Sequence, residues 1–304
     1  VAFDGKAVLD SPTVHLPAFG NLLGWPDVDC PGKIVVLTRK ITNDALVVMT
    51  LNTWKGDGAY RARLRLMAEE IGRLDPDILL LQECFAAPGL GHDTEAALGR
   101  ATGFHSVNWA GRGKLRFCEG AEADSTSGLA VLSRYPIRGS RIVALPSDPR
   151  DGERAALFAE IEHPAGSILA VCLHLTHLSD AEALRRRQFE TVMAELAGVP
   201  PAMMVLVGGD FNAAADAEEF VNVDSPGGRL VDCRRLAGLP AAATCAGNGD
   251  ACIDHIFMRV GQDVAEWRVA DVAIVLDRPD PETGLLASDH FGVKASVILG
   301  PINP

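Results

Sequence analysis

The chain lacks what several protein classes need. It has no excess of basic residues: 28 Lys and Arg stand against 40 Asp and Glu, a formal charge of −12 over 304 residues. A protein that coats duplex nucleic acid carries the opposite balance, because phosphates must be neutralised. An extensive duplex-binding surface is therefore not expected, although a cation held by carboxylates can reverse the local field and let one pocket accept a phosphate. Cysteine is sparse and scattered, at 30, 84, 118, 172, 233, 245 and 252, with no Cys-x-x-Cys and no zinc-type Cys/His spacing. These seven read mainly as reduced thiols, with a Cys245–Cys252 bridge left open for an exported protein. No apolar run approaches the roughly 20 residues of a membrane span. The N-terminus shows no basic region followed by an apolar stretch, so a cytoplasmic location is the default, with a secreted or periplasmic one open if a signal peptide has been removed. Internal repeats at a solenoid period and low-complexity tracts are also missing, which excludes a solenoid.

What is present is a core-forming chain, 48% hydrophobic and 22% charged, that needs neither metal nor disulfide merely to fold. Residues 1–44 are rich in Pro and Gly and are expected to be an extension packed on the domain formed by residues 45–304. From Ala45 the sequence ALVVMTLNTW suits a buried strand, Arg61–Leu74 carries apolar residues at helical spacing, Asp75-Pro76 stops that helix, and Ile78–Leu81 begins a second buried strand. Residues 86–127 read as a long polar excursion with one short helix near Thr94–Gly99. Strand patterns return at Gly128–Leu132, Arg141–Leu145, Ala156–Ile161, Ser167–Leu178, Met203–Val207, Ile253–Met258, Val269–Leu276 and Val293–Ile298, with a helix over Ala181–Leu196. Many strands with a few interspersed helices suggest stacked sheets flanked by helices, an α/β class.

The informative feature is where polar residues interrupt the apolar strands. Asn52 follows VVMTL, Glu83 follows ILLLQ, His174 and His177 sit in VCLHLTHL, Asp210 and Asn212 follow MVLVGG, Asp254 lies in CIDHIFM, and Ser288-Asp289-His290 precedes the last strand. Taken singly, each has a bland explanation: Asn52 and the Gly-Gly-Asp-Phe-Asn stretch as turns, Glu83 as a salt-bridge partner, Asp254-His255 and Asp289-His290 as surface pairs. His174 and His177 stand three apart, so a regular strand would turn them to opposite faces and leave one of them structural. Burying one carboxylate without a partner costs several kcal/mol, so several of them aimed at strand ends call for compensation. A hard divalent cation supplies it, with oxygen ligands, water and substrate phosphate completing the shell.

Leu51-Asn52-Thr53-Trp54, Leu81-Gln82-Glu83, Ser127–Ser133, Thr176-His177-Leu178, Gly209-Asp210-Phe211-Asn212, Ile253-Asp254-His255-Ile256 and Ser288-Asp289-His290, in this order, resemble the endonuclease/exonuclease/phosphatase superfamily with its deoxyribonuclease-I-like fold. The resemblance covers about Ala45 to Ile298 and implies a four-layer α/β sandwich of two packed mixed β-sheets flanked by helices. It implies Mg²⁺, with Mn²⁺ or Ca²⁺ as substitutes, held by Glu83 with Asn52 and Asp289 in or beside the shell. It further implies that Asp210 and Asn212 position or deprotonate the attacking water, that His290 acts at the phosphoryl group with Asp254 holding its ring, and that His177 is the second histidine there, His174 being the alternate. His255, after the Asp of Ile-Asp, departs from the commoner pattern and leaves that neighbour's role open.

The expected activity is that of a Mg²⁺-dependent phosphodiesterase acting on a small or lipid-headgroup phosphodiester by activated-water attack. A metal-dependent nuclease, endonuclease or exonuclease, is the enzymatic alternative, and an inactive binding scaffold the non-enzymatic one. Among the basic clusters, Arg61/Arg63/Arg65 and Arg185-Arg186-Arg187 fall on helices and read as solvated faces. Arg112/Lys114/Arg116, with Trp109 and Phe117 nearby, could line a substrate cleft. Oligomeric state is not readable.

Overall fold

The structure, a computed structural model, describes residues 45–221, 229–246, 251–260 and 267–299. The expected extension over residues 1–44 lies outside the described residues. The first half of the chain supplies β1 (Leu46–Asn52), α1 (Tyr60–Leu74), β2 (Ile78–Ala87), β3 (His92–Asp93), α2 (Thr94–Thr102), β4 (His105–Ala110), β5 (Lys114–Cys118) and β6 (Ala121–Ser133). A second set follows: β7 (Ile137–Leu145), β8 (Arg154–His163), β9 (Gly166–His174), α3 (Glu182–Leu196), β10 (Met204–Asp210), α4 (Glu218–Val221), β11 (Arg229–Asp232), α5 (Cys233–Leu236) and β12 (Asp254–Val260). The chain then returns to the first sheet with β13 (Trp267–Val275) and β14 (Gly292–Leu299).

Two mixed sheets result. The first runs β13-β14-β1-β2-β6-β4, with β3 on β2 and β5 on β6, and the second runs β11-β12-β10-β9-β8-β7. Each has one parallel pair joined through a helix, β1-α1-β2 in the first and β9-α3-β10 in the second, and the remaining pairs are antiparallel. The sheets pack face to face through alternate residues: Val48, Leu80 and Val131 from the first meet Leu157, Ala170, Leu206 and Ile256 from the second in one buried cluster. The other face of the second sheet, including Val205, Val207 and Phe257, is covered by Phe189, Val192 and Met193 of α3. The period-two alternation of each strand thus sorts its residues between the inter-sheet core and a helix layer, and the fold is the α/β sandwich expected from sequence. No helix among the described residues is long and apolar enough to cross a membrane.

Several sequence expectations need correction. Residues 86–127 hold the expected short helix as α2 but are not otherwise loop: β3, β4, β5 and half of β6 lie there. The side chains of β4 and β5 are mostly exposed or half-exposed, so these strands carry no apolar run to announce them. The strand expected to reach Leu178 ends at His174, where Leu175 turns its N–H to the Asp210 carbonyl at 2.9 Å. Arg63 and Arg185, placed on solvated faces, are 1% and 6% exposed, each donating several hydrogen bonds to loop carbonyls. Cys245 and Cys252 are free thiols. Because Leu80 is fully buried between the sheets, Leu80→Ala is expected to lower unfolding free energy by about 2–5 kcal/mol, the usual cost of a core cavity, read from the shift in denaturant midpoint.

Candidate active site

Topology delivers the polar strand ends to one place. The carboxyl ends of the parallel pairs, β1 with β2 and β9 with β10, lie beside the amino ends of their antiparallel neighbours β14 and β12. In register, Asp210 stands opposite His174 on one side and opposite Asp254 on the other. Counting back by twos from core residues (Leu206 to Asp210, Cys172 to His174, Ile256 to Asp254, Val48 to Asn52) puts all four polar residues on the inner face. The inter-sheet core therefore ends in a polar layer.

Within that layer His290 Nδ1 donates to Asp254 Oδ2 at 2.8 Å, and Asp254 is fully buried. Asp210 Oδ2 accepts from Asn52 Nδ2 at 3.1 Å and lies 3.4 Å from His174 Nε2 and 3.9 Å from His290 Nε2; Oδ1 accepts the Asn212 backbone N–H at 2.9 Å. Since a carboxylate only accepts, the Asn52 amide nitrogen must face Asp210, and its oxygen takes the Trp54 N–H at 3.0 Å. Asn212, with φ of 51°, donates through Nδ2 to the Leu175 carbonyl at 3.1 Å. Ser288 Oγ donates to the Asn52 carbonyl at 2.6 Å, fastening the segment before β14 to the end of β1.

Glu83 reaches the same place by a different device. The β2–β6 register shifts between Leu81 and Cys84, and Glu83 adopts φ of 57°, a left-handed backbone that costs a non-glycine residue of order 1 kcal/mol and that clusters at functional sites. The bulge re-aims the carboxylate, which meets Lys55 Nζ at 2.8 Å. Glu83, Asn52, Asp210, Asn212, Asp289, His290, His174 and His177 all border one cleft of about 540 Å³.

Burial and charge set the protonation of this cluster. Burial, reinforced by the neighbouring Asp254 charge, pushes Asp210 up to about 7. Burial works against a charge on His290, but its hydrogen bond to Asp254 and the nearby Asp210 and Asp289 charges outweigh that and raise it to about 9. His174 is driven well below the usual range by burial and by Arg154, His290 and Lys55, so it is neutral. Asp289 is raised by burial and by Glu83 despite His290. The site thus holds a cationic imidazole, a neutral imidazole and a carboxylate near its midpoint at neutral pH.

The two histidines of the His-Leu-Thr-His stretch part company. His174 ends β9 on the inner face beside Asp210; His177 lies beyond the strand on the cleft rim, 59% exposed, 3.0 Å from Asp151 and 3.2 Å from Arg154. The sequence does not mark Lys55, Asp151 or Arg154, and it places Arg63 on a solvated helix face. Buried Arg63 donates to Thr53, Trp54, Lys55 and Asp57 carbonyls and to that of Ala287, tying the loop after β1 to the segment before Asp289. An Arg in the first turn of a helix carries no signal that distinguishes it from a solvated one. Arg112, Lys114, Arg116 and Trp109 do line the cleft, whereas Phe117 alternates away and is 67% exposed.

The family model described as Endonuclease/Exonuclease/phosphatase family matches residues 49–290. No curated protein matches the chain by sequence. Among solved structures, humanized D. rerio TDP2 is 18% identical with a TM-score of 0.66, covering 83% of this chain and 98% of its own. D. rerio TDP2 complexed with single strand DNA product gives 18% and 0.65 over the same shares of the two chains. An endonuclease/exonuclease/phosphatase protein from Beutenbergia cavernae gives 22% and 0.63, covering 84% of this chain and 72% of that one. At these identities the structural likeness concerns the fold.

In protein stripped of divalent ions, His290 is expected to stay protonated through neutral pH and to lose its proton only near pH 9. Asp254→Asn should return the titration toward 6.5, because the raised value rests on a carboxylate acceptor. Long-range ¹⁵N–¹H spectra of the imidazoles against pH decide it, and an ordinary titration in the unsubstituted protein would refute the coupling.

Proposed function

We propose that this chain, which belongs to the endonuclease/exonuclease/phosphatase family, is a Mg²⁺-dependent phosphodiesterase that directs an activated water at a small or lipid-headgroup phosphodiester. The observation that carries this is the convergence of Asn52, Glu83, Asp210 and the Asp289-His290 pair on one cleft from four separate chain segments, with Asp254 from a fifth behind His290. The donor set suits a hard cation: Glu83 and Asp289 are close enough for the first to raise the second, and a bulged, left-handed backbone is spent on aiming Glu83 inward. Glu83, Asp289 and the Asn52 oxygen would hold the ion, which when bound neutralises charge on the non-bridging phosphate oxygens and lowers the pKa of water.

The chain's own groups supply the rest. Asp210, pushed up to about 7 and oriented by Asn52 and the Asn212 N–H, is matched to taking a proton from water at neutral pH. His290, kept cationic and oriented by Asp254, offers its Nε2 proton to the phosphoryl oxygens or leaving group. Neutral His174 beside Asp210 adds a hydrogen bond without adding charge. His177, Arg154 and Arg150 on the rim suit the substrate's outer, non-reacting part.

A nuclease activity on short single strands is the second reading, favoured by the wall of Arg112, Lys114 and Arg116 with Trp109, a pairing of cations and a stacking ring suited to single-stranded nucleic acid. Hydrolysis of bis-p-nitrophenyl phosphate, phosphocholine lipids, single-stranded oligonucleotide and supercoiled plasmid, each with and without EDTA, separates the two. Failure on every substrate with Mg²⁺ present would leave a binding scaffold. Glu83→Gln, Asp210→Asn and His290→Ala are each expected to reduce turnover at least about 10²-fold, the scale of a positioned acid, base or metal ligand, with the far-ultraviolet circular dichroism unchanged. A folded His290→Ala protein with full activity would remove that residue from the chemistry.

A further inference from the structure

A second cavity, of about 310 Å³, shares no lining residue with the catalytic cleft. On the outer face of the second sheet α3 lies over β8, β9 and β10, and the sheet continues beyond them to β12 and β11. There His255 and Phe257 of β12 and Leu230 and Asp232 of β11 point outward together, Asp232 standing opposite Phe257 in register. Phe189 of α3 and Phe220 of α4, ring centroids 5.1 Å apart, close the cavity from the helix side. The strand that turns Asp254 to the catalytic layer therefore turns its neighbour His255 to this separate space.

The cavity has an apolar body, an unsatisfied polar corner and a cationic mouth. Asp232 is 8% exposed; its Oδ1 accepts the Arg235 backbone N–H at 3.1 Å, and its Oδ2 has no hydrogen bond among the described residues. His255 Nδ1 lies 3.5 Å from that oxygen, outside hydrogen-bonding geometry, and is buried with no partner. The other ring nitrogen donates to the Ala213 carbonyl at 3.0 Å, which can only accept, so in the neutral ring Nδ1 is an acceptor as well. Two acceptors thus share one corner that no protein donor fills, a costly arrangement that calls for a partner. At the mouth Arg229 and Arg235 are exposed, and their guanidinium groups have no partner among the described residues, whereas Arg234 donates to the Pro240 carbonyl at 2.7 and 2.9 Å. The lining sets three arginines against two carboxylates, Asp216 and Asp232.

We infer that this cavity is a binding site for a small aromatic acid that carries a ring N–H or O–H. The donor bonds Asp232 Oδ2 beside His255, the ring lies among Phe189, Phe220, Phe257 and Leu230, and the acid group meets Arg229 and Arg235 at the mouth. Each part answers a feature of the lining. A donor satisfies the corner through a charge-assisted hydrogen bond, the stronger kind. A flat ring suits walls of phenylalanine, which stack on it or meet its edge. A negative group suits the unpaired arginines, and a volume at the low end of the ligand-pocket range, about 300–1,000 Å³, admits one ring system and not a polymer. The site stands independently of the hydrolysis proposed for the cleft.

Isothermal titration calorimetry of the full-length chain with indole-3-acetate tests the site without reference to activity, and saturable binding is expected. 1-Naphthylacetate, with the same acid group and no ring N–H, should bind about tenfold more weakly, the scale of a hydrogen bond to a charged acceptor. Asp232→Asn keeps a cap for α5 but replaces Oδ2 with an amide donor, so it should erase the preference between the two acids. Arg229→Glu combined with Arg235→Glu should weaken indole-3-acetate at least about threefold, the scale of exposed ion pairs, while Arg112→Glu combined with Lys114→Glu in the catalytic cleft leaves it unchanged. No saturable binding, equal affinity of the unsubstituted protein for the two acids, or binding lost with the cleft pair and kept with the Arg229/Arg235 pair overturns the site. Should Asp232→Asn fail to fold, the comparison of acids on the unsubstituted protein and the two pairs of surface substitutions still decide.

Discussion

Two buried carboxylates facing one imidazole at the end of the sandwich are the interaction on which the site depends. Asp254 is fully enclosed and Asp210 nearly so; either alone and ionised would carry a desolvation penalty of several kcal/mol. The 2.8 Å hydrogen bond to His290 shares the charge of Asp254 with a proton on the ring, and Asp210 accommodates the crowding by being held up near 7. Desolvation raises Asp210 and opposes a charge on His290, which stays cationic because its hydrogen bond to Asp254 and the neighbouring carboxylate charges outweigh that penalty. Exposed to water, Asp210 and His290 would titrate as ordinary groups and lose their complementary roles.

The fold makes this cluster possible because its two sheets are built alike. Each has one parallel pair whose crossover helix returns the chain so that two adjacent strands end at the same edge. Antiparallel neighbours then begin there, bringing Asp254 and the Asp289-His290 pair to the ends of β10 and β1. Arg63, buried in α1, ties the loop after β1 to the segment before β14 through backbone carbonyls, and Ser288 adds a bond to the last carbonyl of β1. Rigid strand ends supply the reactive groups, and exposed strands and loops such as β5 and the Arg150–Arg154 segment supply the cationic outer walls.

How much was legible from sequence follows from where each signal originates. Asn52, Glu83, Asp210 and Asp254 stood out because each ends or breaks a buried apolar run, a local signal in Val, Ile and Leu, and His290 because Ser288-Asp289-His290 directly precedes one. β4 and β5 did not, since strands exposed on their faces need no apolar alternation. Arg63 and Arg185 were misplaced for the opposite reason: a buried arginine satisfied by distant carbonyls looks, in sequence, like any charged helix residue. Choosing between His174 and His177 required knowing where β9 stops, which a backbone bond from Leu175 to Asp210 decides.

By itself the sequence determined the α/β class, the apolar strands, the polar residues at their ends and the family to which these belong, because alternation and interruption are local patterns written in residue order. Only the tertiary structure decided that Glu83 is aimed by a left-handed bulge, that His174 rather than His177 adjoins Asp210, that Lys55 meets Glu83, and that Cys245 lies against His290. Those facts depend on strand register and on contacts between residues tens to hundreds of positions apart. Such distances are set by how the two sheets pack, and no local pattern encodes them.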